Sequence, residues 1–146
     1  SLSDPGIAHH FRDALKELIG DKVDMIFCNL DEALSFSNTD NLNSAINFMK
    51  AHSKEFVVTL GENGALIFDG KKILEVKGNS VDAVDTNGAG DMFAGAFLHG
   101  LCYGMSHKLA GEFACIAAAE VVVKYGPRLK PKSHVEILDK FLRKYN

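Results

Sequence analysis

The sequence predicts an α/β fold, a mostly parallel sheet with helices on its faces and an antiparallel edge hairpin. Three observations carry that expectation. Two short, nearly continuous apolar runs, residues 23–28 and 55–60, have the composition of strands buried on both faces of a parallel sheet. Stretches whose apolar residues recur at spacings of three and four, as on one face of a helix, stand before, between and after them. Finally, the second run is followed by residues 65–69 and 72–77, joined by an Asp69-Gly70 turn of hairpin type.

In chain order, Ser3-Asp4-Pro5 reads as a helix start, with Asp4 as N-cap and Pro5 at the first helical position. The helix runs to Gly20, and Ile7, Phe11, Leu15, Leu18 and Ile19 form its predicted core stripe. Strand 23–28 ends at Asn29-Leu30-Asp31-Glu32, at the carboxyl edge where open α/β sheets gather ligands. Asn29 and Glu32 lie three apart, a spacing that fits a helix cap as well as two groups facing one ligand. A helix over 38–52 buries Leu42, Ala45, Ile46 and Met49. Strand 55–60 then meets Gly61-Glu62-Asn63-Gly64, which on residues alone is a tight turn. Strands 23–28 and 55–60 are expected at the centre of the sheet. Met92, Phe93, Ala96, Phe97, Gly100 and Leu101 mark a helix rich in small residues. Ser106 starts the next, ended by Tyr125-Gly126-Pro127-Arg128, and Val135, Leu138, Phe141 and Leu142 define the last.

A length of 146 residues suits one domain, 1–146, with one core. Basic and acidic side chains number 16 and 19, and the net charge of −3 gives no electrostatic case for nucleic acid or an anionic membrane. Small molecules are the expected partners. Three widely spaced cysteines in apolar surroundings, Cys28, Cys102 and Cys115, fit thiols in a reducing compartment, and with no leader or membrane-length apolar run in the sequence the expected location is the cytoplasm. Six histidines show no metal-ligand spacing.

The stretch richest in chemistry is Asp85-Thr86-Asn87-Gly88-Ala89-Gly90-Asp91, which runs into the small-residue helix. Glycines on either side of an alanine let consecutive N–H groups point into one concavity, where the positive end of the following helix adds its field. That is a place for an anion, and Asp91 stands at its mouth. An ordinary tight turn with a first-turn acid remains the alternative. Two phosphate motifs are excluded: a dinucleotide fingerprint needs a small residue where Phe93 stands, and a P-loop needs Lys and Ser/Thr where Asp91 and Met92 stand.

The whole string resembles the second signature of the PfkB (ribokinase-like) family of carbohydrate and nucleoside kinases, D-T-x-G-A-G-D before a small-residue helix. Asp85, Thr86, Gly88, Ala89, Gly90, Asp91, Gly95 and Ala96 carry the match. The resemblance implies a ribokinase-like three-layer α/β/α fold of which this chain is the C-terminal, ATP-binding portion, with the N-terminal part and lid absent. It implies ATP-dependent phosphotransfer to a hydroxyl of a sugar or nucleoside, with Asp91 as general base and the backbone of Gly88, Ala89, Gly90 and Asp91 as anion hole. Asn29 and Glu32 are similar to the family's N-x-x-E motif and would order Mg²⁺. Thr59, Gly61 and Gly64 look like its T-x-G-x-x-G segment and would contact ATP, as would Asn87, Cys115 and Gly126, although Cys115 stands where many relatives carry Asn. Asp85 with backbone near Gly126 would form a K⁺ loop. The wording of the motif and the Tyr125-Gly126-Pro127-Arg128 ending lean toward adenosine-kinase-like sugar kinases, and a homodimer of the full-length enzyme stays open. Because the residues that grip the acceptor belong to the family's N-terminal half, this portion alone is expected to be inactive. The rival expectation is a noncatalytic nucleotide- or phosphate-binding module, for which Asp91, a carboxylate that repels phosphate, has no evident use.

Overall fold

The computed structural model describes residues 1–2 and 4–145, apart from the side chain of Tyr145; Ser3 lies outside the described residues. By packing, the chain divides into two compact units, Ser1–Gly61 with Leu66–Leu74, and Glu62–Ala65 with Glu75–Asn146.

In the first unit Asp4 caps α1 (Pro5–His10), its carboxylate accepting from the N–H groups of Gly6 and Ile7, with Pro5 in the first turn as expected. The single helix expected over 5–20 is two, because the backbone at Phe11 (φ −104°, ψ 19°) leaves helical geometry before α2 (Arg12–Ile19). The expected core stripe is also corrected. Phe11 is 61% and Leu18 83% exposed, and Ile7 is exposed as well, whereas Ala8, to which the pattern gave no weight, is fully buried. Leu15 and Ile19 do pack against the core, half-buried.

Strand β1 (Val23–Asn29) leads into α3 (Leu30–Ser37), which closes at Asn38 in the left-handed region (φ 54°). That closure moves the start of the next helix from the expected 38 to Leu42, with Asn41 as cap for α4 (Leu42–His52). Strand β2 (Ser53–Thr59) follows and pairs in parallel with β1, from Val23 opposite Ser53 to Asn29 opposite Thr59. The chain reverses after a single 3-10 turn (Gly61–Asn63) into β3 (Ala65–Phe68). So short a link cannot make the crossover that a parallel neighbour requires, and the sheet is antiparallel from there. The Asp69 carboxylate accepts from the N–H groups of Lys71 and Lys72 and closes the hairpin to β4 (Ile73–Val76).

The sheet order is β1-β2-β3-β4, so β1 is an outer strand here, where the buried pattern predicted a central one. Its far side receives Leu2, which donates its N–H to the Phe27 carbonyl at 3.1 Å and buries its side chain. The core of this unit gathers Ile26, Cys28, Phe56, Val58, Leu66 and Phe68 from one sheet face with Ala8, Ala33, Phe36 and Met49 from the helices.

In the second unit α5 (Ala89–Cys102) and α6 (His107–Val122) form a close pair. Gly100 permits the approach: a Cβ there would lie 3.0 Å from the Ala110 Cβ and 3.2 Å from the Met105 sulfur. Phe93, Phe97, Phe113, Ala114, Ala117 and Val121 fill the interior, and α7 (Pro131–Tyr145) adds Ile137 and Phe141. No helix among the described residues is long and apolar enough to cross a membrane.

Candidate active site

The first unit carries Asn29, Glu32, Thr59 and Gly61, and the second carries Gly64, the loop 85–91, Cys115 and Gly126. In the first, the parallel register sets Asn29 beside Thr59 at the carboxyl ends of β1 and β2, and the Thr59 hydroxyl donates to the Cys28 carbonyl at 3.5 Å. Asn29 and Glu32 form a complete capping box. The Asn29 Oδ1 accepts the Glu32 N–H at 2.8 Å, while Glu32 Oε2 accepts the Asn29 N–H at 3.1 Å. A third bond is specific to this pair: Asn29 Nδ2 donates to Glu32 Oε1 at 2.9 Å. Glu32 is only 7% exposed, and its carboxylate accepts from the Asn29 amide and the Asn29 backbone N–H. A nearly buried carboxylate bonded to an amide and a backbone N–H is a position where a cation would be favoured. The neighbouring thiol feels the same environment, since burial first and the Glu32 charge second push Cys28 up to about 12.

In the second unit the loop 85–91 is held from two sides. Asp85 accepts the Gly126 N–H through Oδ2 and the Asn87 N–H through Oδ1, each at 3.0 Å, and its own N–H and that of Val84 both donate to the Val122 carbonyl. The Gly126 bond, then the Asn87 bond, hold the Asp85 carboxyl below the usual carboxylate range. Gly88 takes φ 81° and lies directly under Pro127; a Cβ on it would sit 2.7 Å from the proline Cβ and 2.8 Å from its Cα. Only glycine satisfies both the dihedral and the contact.

This bracing leaves the start of α5 open. Gly88 caps it without any side-chain bond, and Ala89 donates to the Thr86 carbonyl at 3.2 Å. The N–H groups of Gly88, Gly90 and Asp91 have no acceptor among the described residues, and the space beside Gly90 is empty to 4 Å. Asp91 is exposed in the first turn and lines a cleft of about 360 Å³ together with Met92, Gly95, His99, Phe113, Ala117 and His134. A second cleft of about 350 Å³ lies between α6 and α7, walled by Val81, Ile116, Ala119, Val123, Ile137 and Phe141. Cys115 is buried rather than on that wall, its thiol pushed up to about 11 by burial and then by Glu112. The resemblance implied adenine contacts along the segment from about Phe113 to Gly126, and the spacing of three and four (116, 119, 120, 123) was the available signal for which face of α6 lines the cleft; Pro127 was read only as part of the ending after α6. No group of three or more His, Cys, Asp or Glu among the described residues is placed to hold a metal.

The arrangement of strands, helices and loops is that of a ribokinase-like α/β protein. A putative ribokinase II from Escherichia coli, solved with ATP and Mg²⁺, superposes with a TM-score of 0.74 at 27% identity, over 98% of this chain and 45% of that one. An adenosine kinase from Sinorhizobium meliloti superposes with a TM-score of 0.87 at 31% identity, over 95% of this chain and 43% of its own. The model of the pfkB family carbohydrate kinases matches residues 1–133, and the chain belongs to that family. In sequence it is 32% identical over 120 residues to a cytidine kinase of Thermococcus kodakarensis, covering 79% of this chain and 42% of that protein. The chain thus spans less than half the length of each of these relatives.

Proposed function

We propose that residues 1–146 are the C-terminal, ATP-binding portion of a kinase that transfers the γ-phosphoryl group of ATP to a hydroxyl of a sugar or nucleoside. The observation that supports this best is the open start of α5, where three unpartnered N–H groups and the helix dipole share one spot with an exposed carboxylate. Asp91 accepts the proton of the acceptor hydroxyl as its oxygen bonds to the γ-phosphorus, and the bond to the bridging oxygen breaks to release ADP. The N–H groups of Gly88, Gly90 and Asp91 stabilise the charge on the transferring group, each on the order of 3 kcal/mol if oxyanion-hole magnitudes carry over. In this conformation Ala89 serves the loop itself, through Thr86.

Asn29 and Glu32 would hold hydrated Mg²⁺ in this reading, and the nearly buried carboxylate of Glu32, oriented by the Asn29 amide, fits that role. The ion, when bound, neutralises phosphate charge. Thr59, Gly61 and Gly64 contact the nucleotide, with Asn87 and Gly126 near it, and Asp85 serves mainly to brace the nest; K⁺ at that loop belongs to the same reading. The cleft between α6 and α7 would take the adenine, in place of the Cys115 contact that the resemblance implied. Relatives include nucleoside kinases and a ribokinase, and in this reading the acceptor is a member of that class. This portion alone would transfer phosphate feebly or not at all, for want of the closure that excludes water from such a site.

The test is calorimetric titration with ATP and Mg²⁺ of wild type, Gly90→Pro and Asp91→Asn. Proline in the first turn of a helix is tolerated but removes a donor, so Gly90→Pro should lose saturable binding. Asp91→Asn should keep it or tighten it, since a charge that repels phosphate is gone. Equal binding by wild type and Gly90→Pro would rule out the nest.

A further inference from the structure

Gly78 lies outside every motif discussed above, yet its backbone is pressed against the turn that follows Thr59. A Cβ on Gly78 would fall 2.7 Å from the Gly64 nitrogen and 2.7 Å from the Glu62 carbonyl carbon, and closer still to the Glu62 oxygen. Reciprocally, a Cβ on Gly64 would fall 2.5 Å from the Gly78 nitrogen and 2.7 Å from the Lys77 carbonyl carbon. Gly64 would be glycine in any case, because its φ is +99°. Gly78 has no positive φ, so contact alone demands the absence of a side chain there. Both segments belong to the second unit.

Residues Gly61–Asn63 form a single 3-10 turn with no buried side chain, and what meets its end is the flush backbone contact of Gly64 with Lys77 and Gly78. We infer that Gly78 is a positioning residue for the nucleotide-binding turn: flush backbone packing of Gly78 on Glu62–Gly64 fixes where the turn presents its N–H groups. The inference rests on the nucleotide reading above and adds to it a residue that no motif marks. The segment that begins at Gly78 runs on to Asp85, so one strand-to-loop connection supports this turn at its start and the nest at its end.

The experiment compares the 146-residue chain with its Gly78→Ala variant by MgATP calorimetry, at a temperature where circular dichroism shows both fully folded, and by amide hydrogen exchange. Alanine is compatible with the backbone at 78, so only the contact is altered. The expected result is at least ten-fold weaker MgATP binding, with faster exchange confined to residues 62–64 and 77–79 and none added at 29–32 or 89–92. Unchanged affinity in the folded variant would overturn the inference and leave the kinase reading intact. No MgATP binding by the wild type would overturn both. If Gly78→Ala does not fold, wild-type exchange decides: residues 62–64 and 77–79 should open together and be slowed by the same factor on adding MgATP, and independent opening would refute the contact's role.

Discussion

The amide of Asn29 offers a clean test of what holds Glu32 in place. Serine at position 29 keeps an oxygen that can accept the Glu32 N–H and loses the Nδ2 donor that meets Glu32 Oε1 at 2.9 Å. A hydrogen bond to a charged, nearly buried acceptor is worth about 1.5–3 kcal/mol, so Asn29→Ser should cost that much. Aspartate also keeps the cap, an equal of asparagine there, but sets a second carboxylate against Glu32. With the oxygens relaxed to about 4 Å and an effective dielectric near 20, the repulsion is about 4 kcal/mol, added to the lost bond and reduced where the pair shares a proton. At pH 7 the order of stability should therefore be wild type, then Asn29→Ser, then Asn29→Asp. With a urea slope on the order of 2 kcal/mol/M, the serine midpoint falls by about 1 M and the aspartate midpoint further. The pH dependence has a definite sign. Repulsion raises the folded-state pKa of one carboxyl above its unfolded value, so the penalty is complete above the folded pKa and disappears as pH falls toward the unfolded value near 4. The aspartate variant should converge on the serine variant in acid. If Glu32 and Asn29 also hold hydrated Mg²⁺, millimolar Mg²⁺ should rescue the aspartate variant more than the serine variant. Midpoints for both within about 0.3 M of wild type at pH 7 would mean that the amide–carboxylate bond contributes nothing and the reasoning fails.

Three further outcomes are expected. Of the three thiols, only exposed Cys102 should react quickly with a disulfide reagent at pH 8, since burial holds Cys28 at about 12 and Cys115 at about 11; all three should react in urea. Asp85 has a depressed folded-state pKa, so its contribution is present above its unfolded pKa near 4 and is lost as pH falls through the lower folded value. Asp85→Asn should lower the urea midpoint at neutral pH and flatten the decline below pH 4, and a variant that keeps the full acid limb would contradict this. Gly100→Ala sets overpacking against Ala110 and Met105, about 1–3 kcal/mol, against a helix-propensity gain of about 1 kcal/mol; thermal unfolding should show a net loss, and a gain would mean that α5 and α6 separate easily.

The strands, α4 to α7 and both loops of interest were legible because their signals are local: apolar runs, caps at Asp4 and Ser106, and a turn at Asp69-Gly70. The break at Phe11 was not, since an apolar residue at helical spacing gives no sign of a backbone kink, and its exposure shows that periodicity marks a face without saying how much of it is covered. Asn38 was read as the start of a helix when its left-handed backbone ends one, an ambiguity built into asparagine, which serves both positions. In the loop at 85–91 the sequence displayed the donors but not which of them the loop itself consumes. That Thr86 takes the Ala89 N–H, that Gly88 sits under Pro127 and that Gly78 meets Gly64 are long-range or backbone facts with no side-chain signature. Cys115 was placed by analogy with relatives, which carries no information on burial, and the structure buries its thiol.

The register of β1 against β2 carries one more consequence. Asn29 meets Thr59 on the same alignment that sets Ile26 beside Phe56 and Cys28 beside Val58. Because side chains alternate along a strand, a slip of one residue would part Asn29 from Thr59 and at the same stroke turn Phe56 and Val58 out of their cluster. The alignment therefore proofreads itself: a misfolded state that parts Asn29 from Thr59 is also one in which the core is unpacked, so selection for mere foldedness also keeps these two strand ends in line.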